Sequence, residues 1–431
     1  MENCKKPVGL FFFDSTQTYT NAVNDHIKIF ERSNYRISFI DYRRLYTGFN
    51  FLGYSFIVIH YSVRLPFEAL TGIAAIQLHE QKIPKILFIQ DEYNGLDKTL
   101  FWINYIGFDL IYTTFPIELA MHCYRMPAKR FVNNLTGYIP SSLSDIEPLP
   151  FSKRPIDLGY RGRRLPLIYG HLGRLKHEFA DHIKKNAQNY APRMVLDIET
   201  DDKKRIYGDY WVEFIGNCKA MYVPDSGSNI IDFSSALDYS ATAISKLYSV
   251  SSRNFYPKEI VRNQLAQYEI NGLTNQISPK LFEIVAYEVM IVAHPNSVLS
   301  SYGLEKQVDY WEIENNKTGI KNLERFLKSS LAPEIAKNAK KKIFCGPFQE
   351  SYLLNSFDKK LLELMKNQLC LTKEPIAVKP YSRPFFSNSP QSPILYYLHY
   401  IISHFAVFIP SFVKKNKLLR RFLGLQPRLD V

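Results

Sequence analysis

The sequence predicts an α/β protein with two parallel-sheet domains, 1–145 and 155–370, and a basic amphipathic helical tail, 371–431. Three observations lead there. Short apolar runs alternate with amphipathic stretches through most of the 431 residues, the pattern of strand–helix–strand units. Runs such as FIVIHY (56–61) are apolar at consecutive positions, as strands covered on both faces are. Between the two blocks, 141–155 holds Pro148, Pro150 and Pro155 among polar residues and reads as a linker.

In the first block, strands are expected at 8–13 (VGLFFF), 36–41 (RISFID), 54–62 (YSFIVIHYS), 84–93 (PKILFIQDEY) and 108–114 (FDLIYTT), with helices over 21–31 and 67–80. In the second, strands are expected at 165–170 (LPLIYG), 193–198 (RMVLDI), 219–225 (KAMYVPD) and 289–293 (VMIVA). Helices are expected over 177–189, 209–218, 277–287, 319–329 and 357–368. Two such sheets place a cleft between the carboxyl ends of their strands, where folds of this kind hold ligands.

At 46% hydrophobic and 14% aromatic residues the chain can bury a large core, which excludes wholesale disorder and a peptide hormone. The net charge of +13 favours an anionic partner: a nucleotide, a phosphate-bearing lipid surface or nucleic acid. Five scattered cysteines without a CxxC pair argue against a disulfide framework or zinc site and for a reducing compartment. The apolar run before Asp14 is too short for a secretory signal, so a cytoplasmic location is expected.

The tail carries an uncharged apolar stretch, 394–413, in which Tyr396, His399, Tyr400, Ser403 and His404 recur at helical spacing as a polar stripe. Six basic residues against one acidic one follow in 414–431, and Lys414, Lys415, Lys417, Arg420 and Arg421 are the expected contacts to an anionic membrane surface. Docking of this helix on the first domain, or a span of the bilayer, are the alternatives.

Three stretches carry chemistry. In 155–177 the run LPLIYG turns through glycine into a helix, amid Arg161, Arg163, Arg164, His171, Arg174 and Lys176. A strand-to-helix turn offers backbone N–H groups and the positive dipole end, so this crowd of charge suits a diphosphate, the alternative being a solvated basic surface. In 219–233 a strand ends in PDSGSN, where Gly227 would let the backbone approach a ligand and Asp225, Ser226, Ser228 and Asn229 could touch sugar or phosphate; an ordinary capped turn is the alternative. In 275–293, Ser278 is a candidate cap with Pro279 at the first helical position. There Glu283 projects either toward ribose hydroxyls or, more plainly, toward Lys280 as a surface pair.

Together the motifs DLGYRGRRLP (157–166), SGSNIIDF (226–233) and ISPKLFE (277–283) resemble those of bacterial surface-polysaccharide glycosyltransferases of the GT-B class. The resemblance implies two Rossmann-like domains facing each other across a cleft. It implies transfer of a sugar from a nucleotide-sugar donor to a lipid-linked or polysaccharide acceptor of a cell-surface glycan such as O-antigen or capsule, at the inner face of the cytoplasmic membrane. In the broader retaining group, a G-R-x4-K loop holds the diphosphate; His171 falls on its arginine and Lys176 on its lysine. Of that group's Glu-x7-Glu pair, Glu283 matches the second member and Asn275 stands at the first, with Glu269 a possible substitute.

Donor binding is thus expected from Arg161, Arg163, His171, Arg174, Lys176, Ser226, Gly227, Ser228, Asn275, Ser278 and Glu283. Lys176, a protonated His171 and helix amides would stabilise the leaving diphosphate, with no metal or other cofactor expected. Catalytic roles fall on Glu283 and on Asp91 and Glu92 of the IQDEY strand end, with His60 a further candidate base if the reaction inverts. A GT-B-like binding protein without catalysis is the alternative. Nucleic acid is not an expected partner, because the aromatics sit in core-like strands and no nucleic-acid-binding motif is present.

Overall fold

The computed structural model describes residues 7–67, 69–144, 146–233, 262–263, 265–270, 272 and 274–370. The tail, with Lys414, Lys415, Lys417, Arg420 and Arg421, lies outside the described residues. The first sheet contains β1 (Val8–Phe13), β2 (Arg36–Asp41), β3 (Phe56–Ile59), β4 (Lys85–Ile89), β5 (Leu110–Thr113) and β6 (Phe131–Asn133), all parallel, in the order β2-β1-β3-β4-β5-β6. Helices α1 (Asn21–Ile29), α2 (Gly72–Glu80), α3 (Leu96–Ile106) and α4 (Ile117–Tyr124) lie between them. Every residue of β3, β4 and β5 is buried, which is why those runs carry no polar alternation. Helices α3 and α4 and the three-residue β6 are additions to the sequence-based list. Helix α3 opens at Gly95 and closes at Gly107, both in left-handed backbone.

The second sheet holds β7 (Ile156–Arg161), β8 (Leu196–Glu199), β9 (Cys218–Tyr222), β10 (Met290–Ala293) and β11 (Trp311–Glu312), again parallel, in the order β11-β10-β9-β7-β8. Its first strand is IDLGYR, not the expected LPLIYG. Pro166 supplies no ladder N–H, and Leu167–Tyr169 forms a 3-10 turn ending at Gly170. From there α5 (Gly170–Arg174), a π-helical turn (Leu175–Phe179) and α6 (Ala180–Tyr190) follow without a break. The π turn has a local cause. The Tyr160 and Tyr222 hydroxyls, from β7 and β9, donate to the carbonyls of Lys176 (2.7 Å) and Leu175 (3.1 Å), drawing them toward the sheet.

The chain continues through α7 (Asp209–Gly216), α8 (Lys280–Ala286), α9 (Lys317–Leu327), α10 (Leu331–Ile343) and α11 (Glu350–Cys370). The last of these corrects the domain boundary drawn at 370. Leu353, Phe357 and Leu361 of α11 are buried in the core of the first domain with Phe30, Phe56 and Phe88, and Asp358 accepts from Ser33 and the Asn34 N–H. The apolar face of α11 therefore belongs to the first sheet although its sequence follows the second.

Candidate functional site

In each sheet the strand order reverses once, between β1 and β3 in the first and between β7 and β9 in the second. The loops leaving those carboxyl ends diverge and form a crevice. The domains meet there. The Asp232 N–H donates to the Tyr93 carbonyl (2.9 Å), Gln276 Nε2 to the Thr114 carbonyl (3.1 Å), and the Tyr93 and Tyr169 rings meet edge to face at 5.6 Å.

The basic crowd of 155–177 sorts into neutralised and free charges. Arg161 pairs with Asp197 (2.7 Å), lies over the Phe214 ring and donates to two carbonyls, so its charge is neutralised and it braces β7 against β8. Arg164 pairs with Asp181 (2.8 Å), and Arg174 with Glu269 (3.0 Å). That pairing also occupies the carboxylate that could stand in for Asn275. His171 is pushed below its ordinary value by partial burial and then by the charges of Arg174 and His294, so its neutral form is favoured, against the expectation of an imidazolium. The helix start is also partly occupied, since Asn229 Oδ1 accepts from the Leu172 N–H at 2.7 Å.

Arg163 and Lys176 remain. Arg163 is exposed and, among the described residues, makes no hydrogen bond or ion pair. Lys176, on the π turn, has a long contact to Ser226 Oγ (3.5 Å) and, among the described residues, no carboxylate within ion-pair distance. Burial pushes its ammonium down to about 8, with Arg163 adding to the fall and Asp91 and Asp225 opposing it. A third cation joins them. Lys280, at the start of α8, donates to the Arg161 carbonyl and lies over the rings of Tyr160 (5.8 Å) and Trp211 (5.3 Å). Burial, then Lys176, Arg205 and Arg163, lower it to about 7. Lys280 is absent from the residues the sequence singles out; its place inside the third motif was the available signal, masked by the reading of it as Glu283's surface partner.

The carboxylate of Glu283 turns elsewhere. It accepts from Trp211 Nε1 (2.8 Å) in the second domain and Asn21 Nδ2 (3.3 Å) in the first, with no ion pair to Lys280. Burial raises its carboxyl, which these two hydrogen bonds oppose. It is a tie between the domains, in place of the expected ribose ligand or surface pair. Ser278 is buried and makes no side-chain cap; the short α8 begins after Pro279.

The SGSN loop is held from within. Asp225 accepts from Ser297 Oγ (2.6 Å), the Val298 N–H (2.9 Å) and Asn275 Nδ2 (3.1 Å), with His294 Nε2 at 3.4 Å. Burial pushes its carboxyl up, but hydrogen bonds from His294, Ser297 and Val298 outweigh it and hold the group low. Ser226 pairs through its backbone with Gln276, and Ser228 Oγ donates to the Ile230 carbonyl at 2.7 Å. Gly227 has φ +102 and would place a Cβ 2.0 Å from the Thr274 carbonyl oxygen, so glycine is needed here to admit the Thr274 backbone. Gly227→Ala is expected to destabilise the protein by about 1–3 kcal/mol from backbone strain alone, measured as a lowered urea midpoint.

On the first-domain side, Asp91 follows β4 with φ +56, accepts from the Tyr93 hydroxyl at 2.6 Å and is exposed. It lines a pocket of about 160 Å³ with Tyr61, Ser62, Arg64 and Phe67. Glu92 and His60 do not face this pocket freely. Glu92 is fully buried and accepts from Thr113 Oγ1 (2.7 Å), the Thr114 N–H (2.8 Å), the Phe115 N–H (3.2 Å) and the Tyr124 hydroxyl (2.7 Å), which makes it an anchor for the turn after β5. His60 is also fully buried.

The chain is thus a two-domain α/β protein whose interdomain crevice presents unpaired cations on one wall and a carboxylate-edged pocket on the other. Among the described residues no group of three or more His, Cys, Asp or Glu side chains could hold a metal ion, and no helix is long and apolar enough to cross a membrane. No protein-family model matches the chain. No curated protein matches it. Solved structures similar to it include Anabaena Alr3699/HepE in complex with UDP and glucose (10% identity, 84% of this chain and 100% of that one, TM-score 0.44). T4 phage BGT with its UDP-glucose substrate is similar at 9% identity over 84% and 98% of the chains, TM-score 0.44. Sucrose-phosphate synthase (tll1590) from Thermosynechococcus elongatus is similar at 11% identity over 84% and 100%, TM-score 0.45.

Proposed function

We propose that the protein is a nucleotide-sugar-dependent glycosyltransferase. In this reading the second domain holds the donor diphosphate with Lys176, Lys280 and Arg163, and the first-domain pocket edged by Asp91 holds the acceptor. One observation carries it. Two half-buried ammonium groups stand at the switch point of the second sheet with no carboxylate of the described residues in ion-pair contact, and such charges call for an anion. Breaking a sugar–phosphate bond builds negative charge on the leaving diphosphate, and cations already in place stabilise that charge without reorganisation. The order of the three motifs supports the surface-glycan branch of this activity, with a lipid-linked or polysaccharide acceptor. The apolar stretch and basic residues of the tail support work at the inner face of the cytoplasmic membrane.

The test is thermal stabilisation by a panel of UDP-, GDP-, CMP- and dTDP-sugars, followed by transfer assays on lipid-linked oligosaccharides. Stabilisation by none of them overturns the reading. The lysines add a pH signature. A bound diphosphate favours the charged form of both, so nucleotide binding between pH 7 and 8.5 is expected to take up protons, and affinity is expected to fall as pH rises through the free-protein values of about 7 and 8. Calorimetry in buffers of different ionisation enthalpy measures the uptake; binding heats independent of buffer would remove the lysines from the site.

A further inference from the structure

Behind the first-domain pocket, a chain of hydrogen bonds runs into the protein. It begins at Ser62, which lines the pocket and whose Oγ lies 2.9 Å from His60 Nδ1. His60 Nε2 lies 3.0 Å from His26 Nδ1, and the chain ends at His26 Nε2, buried without a partner. Ser62, His60 and His26 are 4%, 0% and 2% exposed. Backbone geometry fixes where the hydrogens sit. The Ser62 N–H donates to His60 Nδ1 at 3.1 Å, so that nitrogen is an acceptor and neutral His60 carries its proton on Nε2. His60 then donates to His26 Nδ1, and His26 keeps its own proton on Nε2. Ser62 Oγ accepts from the Asp14 N–H at 2.9 Å, which leaves its hydroxyl hydrogen for His60.

The residues at both ends of the chain line cavities. The Ser62 end lies after β3, at the switch point of the first sheet, in the pocket shared with Asp91. Asp91 is close enough to Lys176 to favour its charge, so this pocket adjoins the cationic wall. The His26 end lies on a second cavity at the domain junction, lined also by Asp25, Tyr138, Glu283 and Glu350. Nε2 is the ring nitrogen left without a hydrogen bond. Among the described residues the Asp25 carboxylate there has neither a hydrogen bond nor an ion pair, so it is available to balance a positive imidazole.

We propose that Ser62, His60 and His26 form the chain that takes the proton of the acceptor hydroxyl. Ser62 is the catalytic residue that touches the acceptor, and the two histidines are positioning residues that act through it. The proposal rests on the glycosyltransferase reading. As the acceptor oxygen bonds to the anomeric carbon, the carbon–oxygen bond to the diphosphate breaks and its electron pair leaves with the phosphate. The acceptor's proton passes to Ser62 Oγ while Ser62's own proton passes to His60 Nδ1. His60, now with two N–H groups, hands its Nε2 proton to His26 Nδ1, which moves the positive charge to the cavity that Asp25 lines. After product leaves, the proton returns to solvent by the same path through Ser62, which restores the Nε2–H tautomer of both rings. Burial, and for His60 the neighbouring His26 as well, holds both imidazoles below their ordinary range, His26 at about 3, so both are neutral near pH 7. The acceptor hydroxyl becomes strongly acidic only as its oxygen bonds to carbon, and a weak base in hydrogen-bond contact suffices at that moment.

Two measurements on the full-length protein test this. In ¹⁵N-histidine-labelled protein at pH 7, two-bond ¹H–¹⁵N correlations are expected to show His26 and His60 as Nε2–H tautomers; an Nδ1–H tautomer at either position overturns the chain. The second follows nucleotide release from UDP-glucose, then GDP-mannose and dTDP-glucose, with water as the acceptor. Ser62→Ala and His60→Gln are expected to lower the rate about 10²-fold while nucleotide affinity stays within twofold. The wild-type rate in mixtures of H₂O and D₂O is expected to bow, as for several protons moving together, and to straighten in Ser62→Ala. Ser62→Ala removes a single hydroxyl and carries the test if His60→Gln fails to fold. Turnover by the wild type that is indifferent to both variants, or lost only in Asp91→Asn, overturns the chain and leaves the glycosyltransferase reading standing. A wild type that binds none of these nucleotide sugars removes both.

Discussion

Lys176→Met is expected to weaken nucleotide-diphosphate binding by roughly 10- to 150-fold while raising the melting temperature of the free protein. The first effect follows from one charge-assisted hydrogen bond, worth about 1.5–3 kcal/mol. The second follows from the absence of a carboxylate in ion-pair contact. An ammonium held down to about 8 by burial is a cost to the folded state, and an apolar side chain of similar length removes it. A gain of about 0.5–2 kcal/mol is the usual scale where a binding group has been kept at the expense of stability. Lys280→Met is expected to behave in the same way, because among the described residues its ammonium contacts only the Arg161 carbonyl and two aromatic rings. Arg161→Met provides the contrast: it breaks the pair with Asp197 and is expected to lower the melting temperature. Scanning calorimetry with nucleotide titration on the three variants decides the matter. Lower melting temperatures in both lysine variants with unchanged nucleotide affinity would make those lysines structural.

Glu92→Ala is expected to destabilise the protein by on the order of 5 kcal/mol, since the Thr113 and Tyr124 hydroxyls and the Thr114 and Phe115 N–H groups would lose their shared acceptor in a fully buried site, at about 1–3 kcal/mol each. Glu92→Gln keeps one acceptor oxygen and is expected to lose much less. Asp91, its exposed neighbour, should tolerate Asn with little change in stability. Urea unfolding of the three variants measures the contrast, and a Glu92→Ala loss below 1 kcal/mol would return that carboxylate to the list of candidate bases.

These expectations differ from what the sequence suggests for adjacent residues because alternation along β4 ends in a turn. The consecutive acids of QDEY look equivalent in the chain. Asp91 takes up left-handed backbone at φ +56 and faces the crevice, while Glu92 points inward beneath β5. A period-2 pattern assigns faces only as far as the strand continues, and β4 stops at Ile89. Likewise LPLIYG looks like a strand by composition, but Pro166 and the turn to Gly170 end any ladder there, and the neighbouring IDLGYR takes the central place between β8 and β9.

The sequence by itself determined the two α/β blocks and most of their strands, because strand burial and turn chemistry act over a few residues and leave a local trace. Only the tertiary structure decided which charges are available to a ligand. Arg161, Arg164 and Arg174 look like Arg163 and Lys176 in the chain, yet their neutralising partners Asp197, Asp181 and Glu269 lie 36, 17 and 95 residues away. The same holds for the first domain. His26 and His60 are 34 residues apart, on a helix and at a strand end, and nothing in either local pattern indicates that their ring nitrogens meet. An ion pair or an imidazole contact closed across a sheet depends on strand order and helix placement, and these are set by the packing of the whole domain.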